Sequence, residues 1–141
     1  MIEYHWREEM SESFGRILRP VAEIHVRDKN NVSRALTLYI DSGADVSILT
    51  RSYGELFGHN VTKGRKLVLK GIGNLHLAAY LHKTKLLIGK HEIDAEVAIA
   101  ENDDVPNVLG RRDIFNLFEI QFKNIQECTR LIRKKHAENA S

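Results

Sequence analysis

Apolar residues recur at every second position through most of this chain, and that period limits what it can fold into. In residues 91–99 the set Ile93, Ala95, Val97 and Ile99 alternates with Glu92, Asp94 and Glu96. An extended strand projects successive side chains to opposite faces, so such a run buries one set and wets the other. Leu36, Leu38 and Ile40 repeat the pattern, as do Ala22, Ile24 and Val26 before them and Phe118, Ile120 and Phe122 late in the chain. Residues 27–31, Arg-Asp-Lys-Asn-Asn, are a polar cluster between two such runs and predict a hairpin. Residues 66–72 and 75–88 are also strand-like. They join through Gly71-Ile72-Gly73-Asn74, where glycine on both sides of one apolar residue predicts a flexible hairpin tip. Helical signal is confined to residues 50–57, ending before Gly58, and residues 111–117, following Gly110. Ile2, Tyr4 and Trp6 hint at one more strand in an N-terminal extension, and the stretch from Arg130 onward reads as a basic, frayed tail.

A length of 141 residues, 43% of them hydrophobic, fits one compact domain. The expected organisation is an extension over residues 1–18, a single mostly-β, barrel-like domain over residues 19–134 and a basic polar tail over residues 135–141. A formal net charge of +2 with 7% aromatic residues argues against a nucleic-acid partner, which needs a basic face carrying stacking rings. No apolar run approaches the ~20 residues that span a bilayer. Glu3, Glu8, Glu9 and Glu12 interrupt the N-terminus, which does not read as a secretory leader. Cys128 is the single cysteine, so an intrachain disulfide is impossible and a reducing cytoplasm is the expected setting. It reads as a packing residue rather than a nucleophile. The histidines show no metal-ligand spacing, and His91-Glu92 lacks the second histidine of a zinc protease helix, so neither metal nor cofactor is expected.

The chemistry concentrates in residues 39–45, Tyr-Ile-Asp-Ser-Gly-Ala-Asp. A carboxylate ends an apolar run and is followed at once by a hydroxyl residue, a glycine and an alanine. That order suits an acid held at the tip of a buried turn, with Ser42 able to hydrogen-bond locally and Gly43 freeing the backbone. The run occurs once. A lone carboxylate cannot serve as acid and base together, so a catalytic Asp41 requires a second copy of the chain.

Three segments in order resemble the retropepsins, the homodimeric aspartic proteases of retroviral type and their cellular relatives. They are Asp41-Ser42-Gly43-Ala44-Asp45, Lys70-Gly71-Ile72-Gly73, and the run from Val105 through Pro106, Val108 and Gly110 to Arg111, Arg112 and Asp113. Arg19-Pro20 before a strand adds to the likeness, which covers residues 19–120. The resemblance implies a closed β-barrel with a glycine-rich flap hairpin and one or two short helices. It implies an aspartic endopeptidase acting as a homodimer on extended polypeptides, with Asp41 as the catalytic carboxylate and Ser42, Gly43 and Ala44 supporting its loop. Ala44, without a hydroxyl, implies a working pH nearer neutral than that of the pepsins. Asp45, Val46, Ile48, Gly71, Ile72, Gly73, Val105, Pro106 and Val108 are the implied substrate-binding residues. Asp45 and Arg111 are the implied ion pair beside the site, with Arg19 of the other subunit as a third member.

The chain departs from the family pattern in three places. Arg112 stands where retroviral members often carry Asn or Asp, with Asp113 next to it. Residues 52–65 do not align readily, and the chain continues past Phe122 where retroviral members end in a short interleaving strand. A catalytically silent dimerisation or peptide-binding module is the alternative reading of the same motifs.

Overall fold

In the computed structural model, which describes residues 1–135, the alternating runs form strands. In chain order these are β1 (Ile2–His5), β2 (Arg7–Ser11), β3 (Gly15–Arg19), β4 (Val21–Arg27), β5 (Ser33–Ile40), β6 (Ser47–Leu49), β7 (Arg65–Lys70), β8 (His76–Ile88), β9 (His91–Ala100), β10 (Val108–Leu109), β11 (Phe118–Lys123) and β12 (Cys128–Arg133). A helix, α1 (Arg51–Leu56), and a single 3-10 turn at Val61–Lys63 lie between β6 and β7.

Seven strands form one sheet in the order β4-β5-β10-β6-β9-β8-β7, and β4 also meets β8 through His25 and Leu87. That contact closes six strands into a barrel and leaves β7 outside as the free arm of the β7–β8 hairpin. Closure removes the exposed edges that would otherwise template aggregation. The inward positions include Ile24, Leu38 and Ile99, which the period named, joined by Leu86, Ile88 and Leu109. All six are buried and pack as one cluster. Each such side chain contributes about 1.5–3 kcal/mol on leaving water. The β4–β5 turn is fixed by Asp28, whose Oδ1 accepts from the backbone N–H groups of Asn30 and Val32 at 2.8 and 2.9 Å and whose Oδ2 accepts from Arg34 Nε at 2.9 Å.

A second sheet, β1-β12-β11, corrects two expectations. Arg130 and Arg133 do not open a frayed tail: they belong to β12, which pairs with β1 on one side and β11 on the other, and Leu131 between them is fully buried. Thr129, Arg130 and Arg133 masked a strand that is sandwiched between two others. Residues 136–141, most of the expected polar tail, lie outside the described residues. The division at residue 18 is not a division of the fold either, because β1 registers Ile2 to Leu131 and His5 to Cys128, and Trp6 Nε1 donates to the buried Thr129 hydroxyl at 2.8 Å. Cys128 is itself buried beneath this pairing; the neighbouring Glu3 carboxylate and then burial push its thiol pKa up, which disfavours a nucleophilic thiolate. Residues 111–117 form successive turns instead of a helix, with Ile114 and Phe115 N–H donating to the Arg111 carbonyl and Asp113 at a φ of 63°.

The barrel carries a pH-sensitive seam away from Asp41. The rings of His59 and His82 lie 4.7 Å apart, His59 Nε2 is 2.9 Å from Thr84 Oγ1, and His82 Nε2 is 2.7 Å from the Val61 carbonyl. Burial, and then the neighbouring His82, push the His59 pKa below its ordinary value. The unfolded chain therefore takes up this proton first, and the stabilising contribution is full above about pH 6.5 and lost as pH falls through the depressed folded value. Thermal unfolding at pH 5.5 is expected below that at pH 7.5, and His59→Gln should shrink the difference. The depressed carboxylates Asp28 and Glu96 lose their contribution only below about pH 4, outside that window. An undiminished difference in the variant would show that other groups set it.

Candidate active site

β5 delivers Asp41 to the surface, and the short strand β10 fixes it there. β10 runs parallel to β5 and antiparallel to β6, lying between them. Tyr39 N–H donates to the Asn107 carbonyl and Asp41 N–H to the Leu109 carbonyl, both at 3.0 Å. The loop then folds back on its own carboxylate: Gly43 N–H donates to Asp41 Oδ1 at 2.8 Å and Ala44 N–H to the Asp41 carbonyl at 3.2 Å. Asp41 is exposed, and its Oδ2 takes no hydrogen bond among the described residues. One carboxylate oxygen is thus occupied in holding the turn and the other is available.

Residues 110–112 are stitched beneath this loop, which explains why two motifs far apart in sequence belong together. Gly110 N–H donates to the buried Ser47 hydroxyl at 2.9 Å, Arg111 N–H to the Ala44 carbonyl at 2.9 Å and Arg112 N–H to the Asp45 carbonyl at 2.9 Å. A β-carbon on Gly110 would lie 2.4 Å from the Val46 carbonyl oxygen and 2.9 Å from that of Ala44, so only glycine fits between the layers. Asn107 Oδ1 also accepts from Thr50 N–H at 3.0 Å, joining β10 to the start of α1. Ser47 and Asn107 escaped the sequence reading because a serine opening a three-residue strand and an asparagine after proline carry no signal beyond ordinary turn chemistry.

The β7–β8 hairpin ends in the glycine-flanked tip. Gly71 N–H donates to the Leu75 carbonyl at 2.9 Å, Gly73 takes a φ of 75°, and Ile72 between them is 95% exposed. At the hairpin's base Leu69, Ala79 and Leu81 pack with Val46, Ile48 and Ala98.

A cleft of about 580 Å³ opens at Asp41, lined by Glu9, Arg19, Pro20, Tyr39, Ile40, Pro106 and Val108. Asp41, Arg19, Pro106 and Val108 are therefore brought together. Val46 and Ile48 instead form the layer under the hairpin base, Val105 is half-buried on the loop before β10, and Ile72 stands out in solvent. The ion-pair network of Arg19, Asp45 and Arg111 is not made within one chain. Arg19 Nε lies 3.9 Å from Glu9 Oε1, while Asp45 and Arg111 share a separate open cleft with Arg112 and Asp113. Arg112 pairs with Glu96 at 2.7 Å, and Asp113 Oδ2 accepts from Glu96 N–H at 2.9 Å. In an open cleft, water competes with such a pair and little holds it together.

Sequence reading also missed the polar knot at the cleft's edge. Glu9 Oε2 accepts from the Tyr39 hydroxyl at 2.7 Å and from Arg7 Nη2 at 2.8 Å, and the Arg7 guanidinium lies 5.3 Å from the centre of the Tyr39 ring. The Tyr39 hydroxyl, then Arg7, hold the Glu9 carboxyl below the usual carboxylate range. Among the described residues no cluster of His, Cys, Asp and Glu could hold a metal ion, and no helix is long and apolar enough to cross a membrane.

No protein-family model and no curated protein matches this sequence. Solved structures do. The retroviral protease-like domain of Ddi1 from Leishmania major superposes with a TM-score of 0.56 at 16% identity, covering 80% of this chain and 87% of that domain. EIAV protease complexed with the inhibitor HBY-793 superposes at 0.47 with 24% identity, covering 66% of this chain and 82% of the other. The fold is retropepsin-like: a mostly-β closed six-strand barrel.

Proposed function

We propose that this chain is an aspartic endopeptidase that becomes active when two copies place their Asp41 carboxylates face to face. The observation that carries the reading is Asp41 itself, exposed at a strand end, held by Gly43 through one oxygen and offering the other to a cleft. Hydrolysing an amide with water requires a base to take a proton from the water and an acid to give one to the carbonyl oxygen. Two carboxylates about 3 Å apart cannot both ionise, and aspartic proteases are the standard instance of such a pair sharing one proton. The ionised member removes a proton as the water oxygen bonds to the carbonyl carbon, and the protonated member delivers its own to the carbonyl oxygen. The carboxyl that took the water's proton passes it to the amine nitrogen, the other carboxylate takes a proton back from the tetrahedral diol, and the C–N bond breaks to give a carboxylic acid and an amine with one proton again shared by the pair. Because the chain carries one such loop, a two-fold axis between protomers supplies the pair.

In this reading Ser42 braces the partner's loop, and Gly43 and Ala44 allow the loops to approach. Pro106 and Val108 contact apolar side chains in the Asp41 cleft, while Val46, Ile48, Val105, Ile72 and Asp45 border the path of an extended polypeptide. The β7–β8 hairpin closes over that polypeptide, its tip backbone at Gly71 and Gly73 hydrogen-bonding the extended chain, and excludes water from the carboxylates. Arg19 meets Asp45 and Arg111 across the interface.

The test is concentration dependence. Cleavage of unfolded casein by the purified chain should rise more steeply than linearly with protein concentration until dimers saturate, then become linear. Strict proportionality across the range where sedimentation shows monomers would eliminate the two-copy mechanism. A dimer with no cleavage at any pH would favour the silent binding module.

A further inference from the structure

The hairpin β2–β3 belongs to neither the barrel nor the second sheet: among the described residues its two strands pair only with each other. An isolated two-stranded hairpin is marginal in water and needs a surface to lie on. One side has such a surface. Glu9 and Ile17, opposed in register, are half-buried, and Glu9 is tied to Tyr39 of the barrel. On the other side only Leu18, near the root, is half-buried; the remainder and the tip are open. Met10 is 78% exposed and Phe14 83% exposed, with Glu8 and Arg16 paired beside them at 2.7 Å. Arg16 also lies within electrostatic reach of Glu127, on the β11–β12 turn where Ile125 is 91% exposed. Two large apolar side chains left exposed on a hairpin that itself needs a surface point to an interaction site.

The hairpin's root identifies the occupant. Glu9, Arg19 and Pro20 wall the same cleft as Asp41. If a second Asp41 approaches within about 3 Å, its protomer must enter in front of that wall, so the hairpin borders the axis between copies. Five residues of strand extend about 17 Å, and the Phe14 tip at their far end is exposed, in reach of a copy seated at the cleft. We propose that the β2–β3 hairpin is a dimerisation arm, anchored to its own barrel through Glu9 and Tyr39 and laying Met10 and Phe14 on a second copy of this chain. The proposal rests on the two-copy reading of Asp41 and adds where the second copy is gripped.

The double variant Met10→Ser/Phe14→Ser tests it in the full chain by sedimentation equilibrium. Both side chains are exposed in the protomer, so circular dichroism and thermal unfolding of the monomer should match wild type, while the dimer dissociation constant should rise at least tenfold. Casein cleavage should fall at low protein concentration and recover at high. p-Benzoylphenylalanine in place of Phe14 should give, on irradiation, an adduct of twice the chain mass. An unchanged dissociation constant, or cross-links confined to one chain, overturns the arm and leaves the Asp41 mechanism standing. A wild-type chain monomeric at every concentration overturns both.

Discussion

Asp41→Asn is expected to abolish the proposed peptide hydrolysis, lowering kcat by a factor of about 10² to 10⁴ or more, the range for removal of a general acid–base group. The substitution is unusually clean here. Asparagine keeps an Oδ1 that accepts the Gly43 N–H, so the turn at the end of β5 retains the hydrogen bond that shapes it. Asp41 is exposed and makes no ion pair among the described residues, so stability should change by no more than about 0.5 kcal/mol. Two amides cannot share a proton as two carboxylates can, and the pair loses base and acid together. Mixing adds a second readout. At equal concentrations with random pairing, about half of the wild-type chains sit in mixed pairs, and activity should fall by about half relative to undiluted dimers. Retained cleavage by the pure variant would remove Asp41 from the mechanism, and wild-type activity untouched by excess variant would remove the shared pair.

How far the sequence discloses this molecule depends on which interactions are local. Period-two runs such as 91–99 determine their own burial because each side chain's face follows from its position, and the β8–β9 hairpin and most of the barrel core follow from them. The strand end that carries Asp41 is legible for the same reason. The order β5-β10-β6 is not. β10 is two residues long and sits between strands remote in sequence, so no local period announces it. The hairpin β2–β3 was equally silent, since Arg-Glu-Glu-Met-Ser has no apolar face until Tyr39 supplies its hydroxyl to Glu9. Arg111 illustrates the limit of analogy. Its backbone N–H meets the Ala44 carbonyl, yet no ion pair joins its side chain to Asp45 among the described residues, because the fold fixes a backbone hydrogen bond whereas water competes for a charge pair in an open cleft.

Gly110→Ala should be the most damaging single-methyl change in the chain. The added carbon would meet the Val46 carbonyl oxygen at 2.4 Å, the Val46 carbonyl carbon at 2.5 Å and the Ala44 carbonyl oxygen at 2.9 Å. All three are backbone atoms, so no rotamer change relieves the contact, and β10 must move away from the loop it supports. That displacement strains three hydrogen bonds, from Gly110 to Ser47, Arg111 to Ala44 and Arg112 to Asp45. A destabilisation at or above about 3 kcal/mol is expected, the upper end for overpacking. For a chain of this size that lowers Tm by roughly 10 °C, with loss of soluble expression a further expected sign. Gly73→Ala is the informative contrast. A β-carbon there would meet no heavy atom within 4 Å, and the cost comes only from the φ of 75°, about 1–2 kcal/mol and confined to the hairpin tip. The two variants separate supporting the carboxylate from covering it. Gly110→Ala should lose fold and activity together, whereas Gly73→Ala should stay folded and alter KM and kcat through the hairpin. A Gly110→Ala chain with wild-type Tm and full activity would mean that the loop does not depend on the layer beneath it.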